Sequence, residues 1–168
     1  MSAVNTAPAS DIPGYRRALG SFATGVAVVT IAGARQPRGM TINSFAPVSL
    51  VPPLVLWSIG ERHASCPDFC AASRFAIHVL SRNQRCLADR FASSAGDPFE
   101  GIDWQPDAHG IPSLGGCITR FSCVLRAIHP GGDHRILVGE VEEFACVGGS
   151  GLLFVDGRYA ESAGALGG

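Results

Sequence analysis

VAVVTIAGARQPRGMTINSF, residues 26–45, decides the fold class. Its first seven residues are dense in β-branched side chains, which suit a pleated strand better than a helix. GARQP turns the chain, and RGMTINSF, residues 38–45, reads as the paired return strand. Downstream, LVPP at 50–53 interrupts that strand. LVLWSI at 54–59 is nearly all apolar, as an interior strand would be, and FAIHVL at 75–80 reads as a fourth strand. Two long strands follow, at residues 117–128 and 134–147, with HPGG between them as a hairpin turn. LLFVDGRYAE, residues 152–161, adds a last short strand and a bend at Gly157.

Strands in succession, without alternating helices, argue for antiparallel pairing. In one small domain a closed barrel removes the open edges, so a barrel is the expected architecture. Short helices fill the gaps. Asp11 is placed to cap one that carries Pro13 in its first turn and an apolar side of Tyr15, Ala18, Leu19 and Phe22. Pro67 is placed to start a second, through DFCAAS. Ser81 is placed to cap a third, across NQRCLADRFA. Residues 93–116 read as a long loop, a lid or a dimer contact, with Phe99 and Trp104 as its anchors. The domain organisation expected is a flexible segment over 1–12, one domain over 13–160 and a flexible tail over 161–168.

Composition sets the outer limits. The chain has 168 residues, 46% of them hydrophobic, enough for a substantial core. A formal net charge of −1 gives no electrostatic case for nucleic acid or an anionic membrane. The N-terminus lacks the basic start and apolar run of a signal peptide, and no stretch approaches the roughly 20 apolar residues of a membrane span. The chain therefore reads as cytoplasmic. In that reducing compartment the six cysteines read as small hydrophobes, with Cys86, Cys117, Cys123 and Cys146 in the core.

Several chemistries are excluded by pattern. No GxGxxG follows a strand at a helix start, and no GxxxxGK[ST] occurs. Ser44 has no nucleophile elbow around it. Glu140 and Glu142 alternate onto one face and read as solvated. His63, Cys66 and Cys70 have a spacing suggestive of zinc, but no fourth ligand is near in sequence, so no metal is expected.

What remains is RGMTINSF. Alternation sends Thr41 and Asn43 to one face and Ile42 and Ser44 to the other. If the strand ends irregularly, Asn43 and Ser44 both offer hydrogen bonds to a heterocycle. An ordinary half-exposed strand accounts for the same residues.

Four segments in order, FATGVAVVT (22–30), GMTINSFAPVSLVPPLVLWSI (39–59), FAIHVLSRNQRCLADRFA (75–92) and GDHRILVGEVEEF (132–144), resemble the short-chain flavin reductases. These are the reductase components of two-component flavin monooxygenases. The similarity runs from about Tyr15 to Tyr159. It implies a mainly β fold, a split β-barrel of the flavin-reductase/FMN-binding type with a few short peripheral helices. It also implies a homodimer, NADH or NADPH as donor, FMN or FAD as acceptor, and a separate monooxygenase that receives the reduced flavin.

By the same resemblance, Thr41, Asn43 and Ser44 fall at the isoalloxazine or ribityl part, and Ser58 and Ile59 where a strand end passes the ring edge. Ser65 and Arg90 fall near the flavin phosphate, where an arginine fork pairs two oxygens. Gly132, Asp133 and His134 match a GDH motif beside the nicotinamide. His134 is the candidate for a part in the reaction, as a positioning and electrostatic group or as a proton source. Tyr159 falls at the rim of the site, where a side chain that merely closes the barrel fits equally. Two departures stand out: His78 where the family often has Asn, and cysteines at 66 and 70 where it often has Ser or Thr. The choice of FMN or FAD is left open by the second. The rival readings are a same-fold flavoenzyme reducing a corrinoid or quinone-like acceptor, a flavin-binding electron carrier without nicotinamide turnover, and a structural barrel that binds no flavin.

Overall fold

The computed structural model describes residues 5–93 and 96–161. The end of the expected N-terminal segment falls in α1 (Ile12–Gly20), whereas most of the expected tail lies outside the described residues. Asp11 Oδ1 accepts a hydrogen bond from the Gly14 amide at 2.8 Å, so the cap and Pro13 work as the sequence suggests. The strands that follow are β1 (Thr24–Gly25), β2 (Ala27–Ile31), β3 (Arg38–Ile42), β4 (Ala46–Leu50) and β5 (Pro53–Gly60). Next come α2 (Cys66–Ala71), β6 (Arg74–Val79) and α3 (Arg85–Ala92). The remainder is β7 (Trp104–Pro106), β8 (Pro112–Leu114), β9 (Thr119–Gly131), β10 (His134–Cys146), β11 (Leu152–Val155) and β12 (Arg158–Glu161).

Seven of these strands form one sheet in the order β3-β2-β6-β9-β10-β5-β4, antiparallel throughout. β11 pairs with both β1 and β12, and β7 with β8, making two small sheets. The expectation of a split β-barrel is corrected here: the strand order is open, with β3 and β4 at its two ends and no ladder joining them. The reasoning assumed that edges must be removed by closure, but they can also be covered. Residues 43–45 cross from one edge to the other. There the Ser44 hydroxyl accepts from the Ser58 amide at 3.0 Å and donates to the Ser58 carbonyl at 3.2 Å, so a side chain replaces a strand partner. On the other edge α3 lies over β3, where Gly39 leaves room for the Phe91 ring.

β2 shows why VAVVTI carries no polar alternation. Ala27, Val29 and Ile31 pack into one core with Met40, Trp57 and Phe75, while Val28, with the preceding Val26, packs on the opposite face against Leu80, Phe91 and Leu152. A strand buried on both sides reads as an unbroken apolar run. Each fully buried Val, Ile or Phe contributes roughly 1.5–3 kcal/mol. Trp57 stands edge-on to Phe69 and Phe75, with ring centroids 5.3 and 5.9 Å away. The 93–116 segment is anchored as expected: Phe99 is buried between Phe91 and Trp104, at 5.0 and 5.4 Å. It also holds the small β7–β8 hairpin that the sequence did not suggest.

Other local expectations change. Ser81 is not the cap of α3. The Gln84 Oε1 accepts from the Ser81 amide at 2.9 Å, and the helix starts at Arg85. LLFVDGRYAE makes two strands, joined by Asp156 and Gly157 at φ 50° and 74°. Two adjacent positive φ values are what a two-residue hairpin turn needs, and an Asp-Gly pair supplies them cheaply. All six cysteines are free. Cys66 and Cys123 are buried, but Cys86 and Cys146 are exposed, against the reading that placed them in the core. Burial pushes the Cys123 thiol up to about 12. No helix among the described residues is long and apolar enough to cross a membrane.

Candidate functional site

β3 carries the site's first wall. Met40 and Ile42 enter the core, and Thr41 faces α3, donating its hydroxyl to the Ala88 carbonyl at 2.7 Å. Beside it opens a pocket of about 200 Å³. Val26, Ile42 and Phe154 give it an apolar lining, and Thr41, Asn43 and Tyr159 a polar rim. Tyr159 comes from β12, half-buried, with its ring edge-on to Phe154 at 5.4 Å. Burial, and then the nearby Asp89 carboxylate, hold its phenol above the usual tyrosine range.

Ala92 lines this pocket and also a second cleft of about 550 Å³. The cleft runs along the start of β3 and the loop before α2, past Arg38, Arg62, His63 and Ser65. Arg38 is held by Asp68 at 2.9 Å, and Ser65 donates its amide to His63 Nδ1 at 3.2 Å. The β9–β10 turn abuts the same loop, because the Glu61 amide donates to the Asp133 carbonyl at 2.9 Å. His134 opens β10 opposite Gly60, half-exposed, with Nδ1 2.6 Å from Asp133 Oδ1. The hydrogen bond and charge of His134 hold the Asp133 carboxyl below its usual range.

The expected residues therefore fall into groups. Thr41, Asn43 and Tyr159 meet around the pocket, and Ser65 lines the cleft. Asp133 and His134 sit at the turn beside the cleft's loop. Ser44 and Ser58 are bonded to each other at the sheet opening. Ile59 is buried in the core, so only its backbone can meet a ligand. Arg90 is exposed and donates to the Glu100 carbonyl, which ties α3 to the following loop, and it lines neither cavity. Sequence reasoning passed over Arg62, although it stands three residues before Ser65, and Arg38, which meets Ser65 at the cleft only once the chain is folded. It also passed over Arg85 and Asp89, although their four-residue spacing on α3 was legible. Cys66 and Cys70 Sγ atoms lie 3.8 Å apart, and no group of three metal-ligating side chains occurs among the described residues.

An apolar slot with a polar rim, beside a cleft bearing guanidinium groups, suits a flat heteroaromatic ring that carries an anionic tail. Comparison with known proteins narrows the class. Residues 19–163 match the flavin reductase like domain. The FMN reductase (NADH) SmoA of Agrobacterium fabrum is 47% identical over 145 residues, covering 86% of this chain and 83% of that protein. HsaB of Mycobacterium tuberculosis, the reductase subunit of a flavin-dependent monooxygenase, is 38% identical over 148 residues, covering 86% and 79%. The structure of the Streptomyces globisporus NADH:FAD oxidoreductase SgcE6, in complex with NAD and FAD fragments, superposes with a TM-score of 0.92 at 37% identity. It covers 98% of this chain and 100% of that one. The chain belongs to the flavin reductase like family.

Proposed function

We propose that the protein is an NAD(P)H:flavin oxidoreductase that reduces FMN or FAD and releases the reduced flavin to a separate monooxygenase. The observation that carries this reading is the pocket walled by Thr41, Asn43 and Tyr159, which shares Ala92 with the arginine-bearing cleft beside it. The residues fit a flavin: apolar side chains suit the ring faces, amide and hydroxyl groups suit its polar edge, and guanidinium groups suit its phosphate. When bound, flavin accepts two electrons from the reduced nicotinamide, and that chemistry belongs to the two cofactors.

The protein's part is placement. Thr41 and Asn43 orient the ring, and Arg38, Arg62 and Ser65 hold the phosphate end. His134, steadied by Asp133, marks the nicotinamide side and adds an electrostatic or proton-holding group there. Placing two reactants in contact removes much of the entropic barrier to their meeting. Ser44, Ser58 and the Ile59 backbone shape the sheet opening between these regions. Arg90 acts by fixing the loop that forms the cleft's far wall.

The proposal extends to organisation. Residues 13–160 form one flavin-binding domain that works in the cytoplasm as a homodimer, with no nucleic-acid or membrane partner. Support for a second copy comes from apolar side chains left in water: Phe22 at 77% exposure, Leu50 at 91% and Val51 at 92%.

The test is to mix purified protein anaerobically with NADH or NADPH and an excess of free FMN or FAD. Bleaching of the whole excess is the expected result. Flavin binding without nicotinamide oxidation would instead identify a carrier, and turnover only after a third compound is added would identify another acceptor.

A further inference from the structure

Four residues of α3, Arg85, Ala88, Asp89 and Ala92, fall at i, i+3, i+4 and i+7 and so form one stripe along the helix. Each meets the pocket or one of its walls. Ala92 lines it directly. The Ala88 carbonyl accepts from the Thr41 hydroxyl at 2.7 Å. The Arg85 guanidinium carbon lies 5.5 Å from the Tyr159 ring centroid, within cation–π range. The Asp89 carboxylate pairs with Arg85, Nε to Oδ2, at 3.7 Å and so holds the guanidinium beside that ring.

We propose that Arg85 and Asp89 are positioning residues for flavin: together they clamp the Tyr159 ring into a pre-set wall of the pocket, opposite the wall that Ala88 sets through Thr41. This inference rests on the reading of the pocket as the flavin site. Tyr159 is held on two sides, by Phe154 with ring centroids 5.4 Å apart and by Arg85 over its face, and Asp89 in turn holds Arg85. With its phenol held above the usual tyrosine range by burial, Tyr159 contributes shape and contact area. A ring fixed before the ligand arrives loses no rotamer freedom on binding, and that loss otherwise costs affinity. The Arg85 and Asp89 side chains are themselves 70% and 57% exposed. Exposed pairs of this kind contribute little to folding. Their effect is therefore expected in flavin affinity and not in stability.

The experiment measures FMN affinity by flavin fluorescence, together with kcat, KM and the urea midpoint. Asp89→Ala and Arg85→Ala are each expected to weaken FMN binding about three- to tenfold, the range that immobilising one side chain implies. Both should raise KM for flavin more than they lower kcat, with the urea midpoint unchanged. The double variant should lose no more than either single, because both remove one contact. Asp89→Asn should recover the affinity, since its amide oxygen still accepts from the Arg85 guanidinium.

Tyr159 is one of only two tyrosines. In a Tyr15→Phe background its ultraviolet titration should therefore move down when Asp89→Asn removes the carboxylate charge. Single-variant losses that multiply in the double variant, or an unmoved titration, would overturn the clamp. Asn43→Trp, an exposed rim position turned bulky, separates the two levels of the argument. If it leaves FMN binding intact, the pocket is not the flavin site. If it abolishes binding while Asp89→Ala changes nothing, only the clamp is wrong.

Discussion

His78 sits with no solvent exposure on β6, its Nδ1 3.2 Å from the Val28 carbonyl and its Nε2 without a hydrogen-bond partner. Across the ladder stands Arg120, itself paired with Asp107 at 2.7 Å. Burial, reinforced by the Arg120 charge, lowers the His78 imidazole to about 4, while Val28 and Asp107 oppose the shift. The unfolded chain therefore takes up this proton near the ordinary histidine value and the folded chain only near 4. Stability from a neutral His78 is complete above about pH 6.5 and is lost as the pH falls towards 4, by roughly 3 kcal/mol in all. Urea midpoints of wild type and His78→Asn between pH 7 and 4.5 check this. The wild type should lose more, and parallel curves would contradict the assignment.

At the turn, His134→Ala should lower turnover or raise KM for nicotinamide about tenfold, some 1.4 kcal/mol, and spare flavin affinity. Steady-state kinetics with flavin titration decides it. Period two put Thr41 and Asn43 on one side of a strand and both line the pocket, but Ile42, assigned to the other side, lines it too, so alternation alone did not pick out the pocket. Arg90 was not legible, because a helical position does not reveal which distant carbonyl a long side chain will reach.

α3 is the element on which the site depends, and Gly39 is what lets it dock. A Cβ at Gly39 would meet the Phe91 ring at 2.4 Å, well inside contact distance. Gly39→Ala should cost about 1–3 kcal/mol of stability by overpacking. It should also weaken FMN binding, since Thr41 and Ala88 would be pushed apart. Unchanged affinity with lowered stability would show that α3 and the pocket are independent. Most strands could be read from their β-branched runs, whereas boundaries were lost where side chains intervene. Gln84 reaches back to the Ser81 amide and delays the helix, and β4 went unread because LVPP looked like a simple interruption of the return strand. The β11–β12 turn was hidden by treating Gly157 as a bend, although Asp156-Gly157 carries the hairpin signature.

For the molecule as a whole, sheet closure was the feature least available from sequence. The number of strands argued for removing edges, but nothing local distinguishes closing a sheet from covering its rims with a helix and a serine side chain. Leu50 and Val51 stand in water at the β4–β5 turn, and Phe22 just beyond α1. Ultracentrifugation should find a mass twice that of the chain. If this turn contributes to the interface, Val51→Glu should shift the protein towards monomer, and a monomeric wild type would refute the dimer.

In the proposed site one flavin ring lies between Thr41, Asn43 and Tyr159, with its phosphate towards Arg38, Arg62 and Ser65 and a nicotinamide beside His134. A crystal structure with FMN or FAD and a non-reacting nicotinamide analogue tests it most directly. The two rings should be found stacked in that space. A flavin bound elsewhere, or a 41–45 segment closed against any ligand, would contradict it.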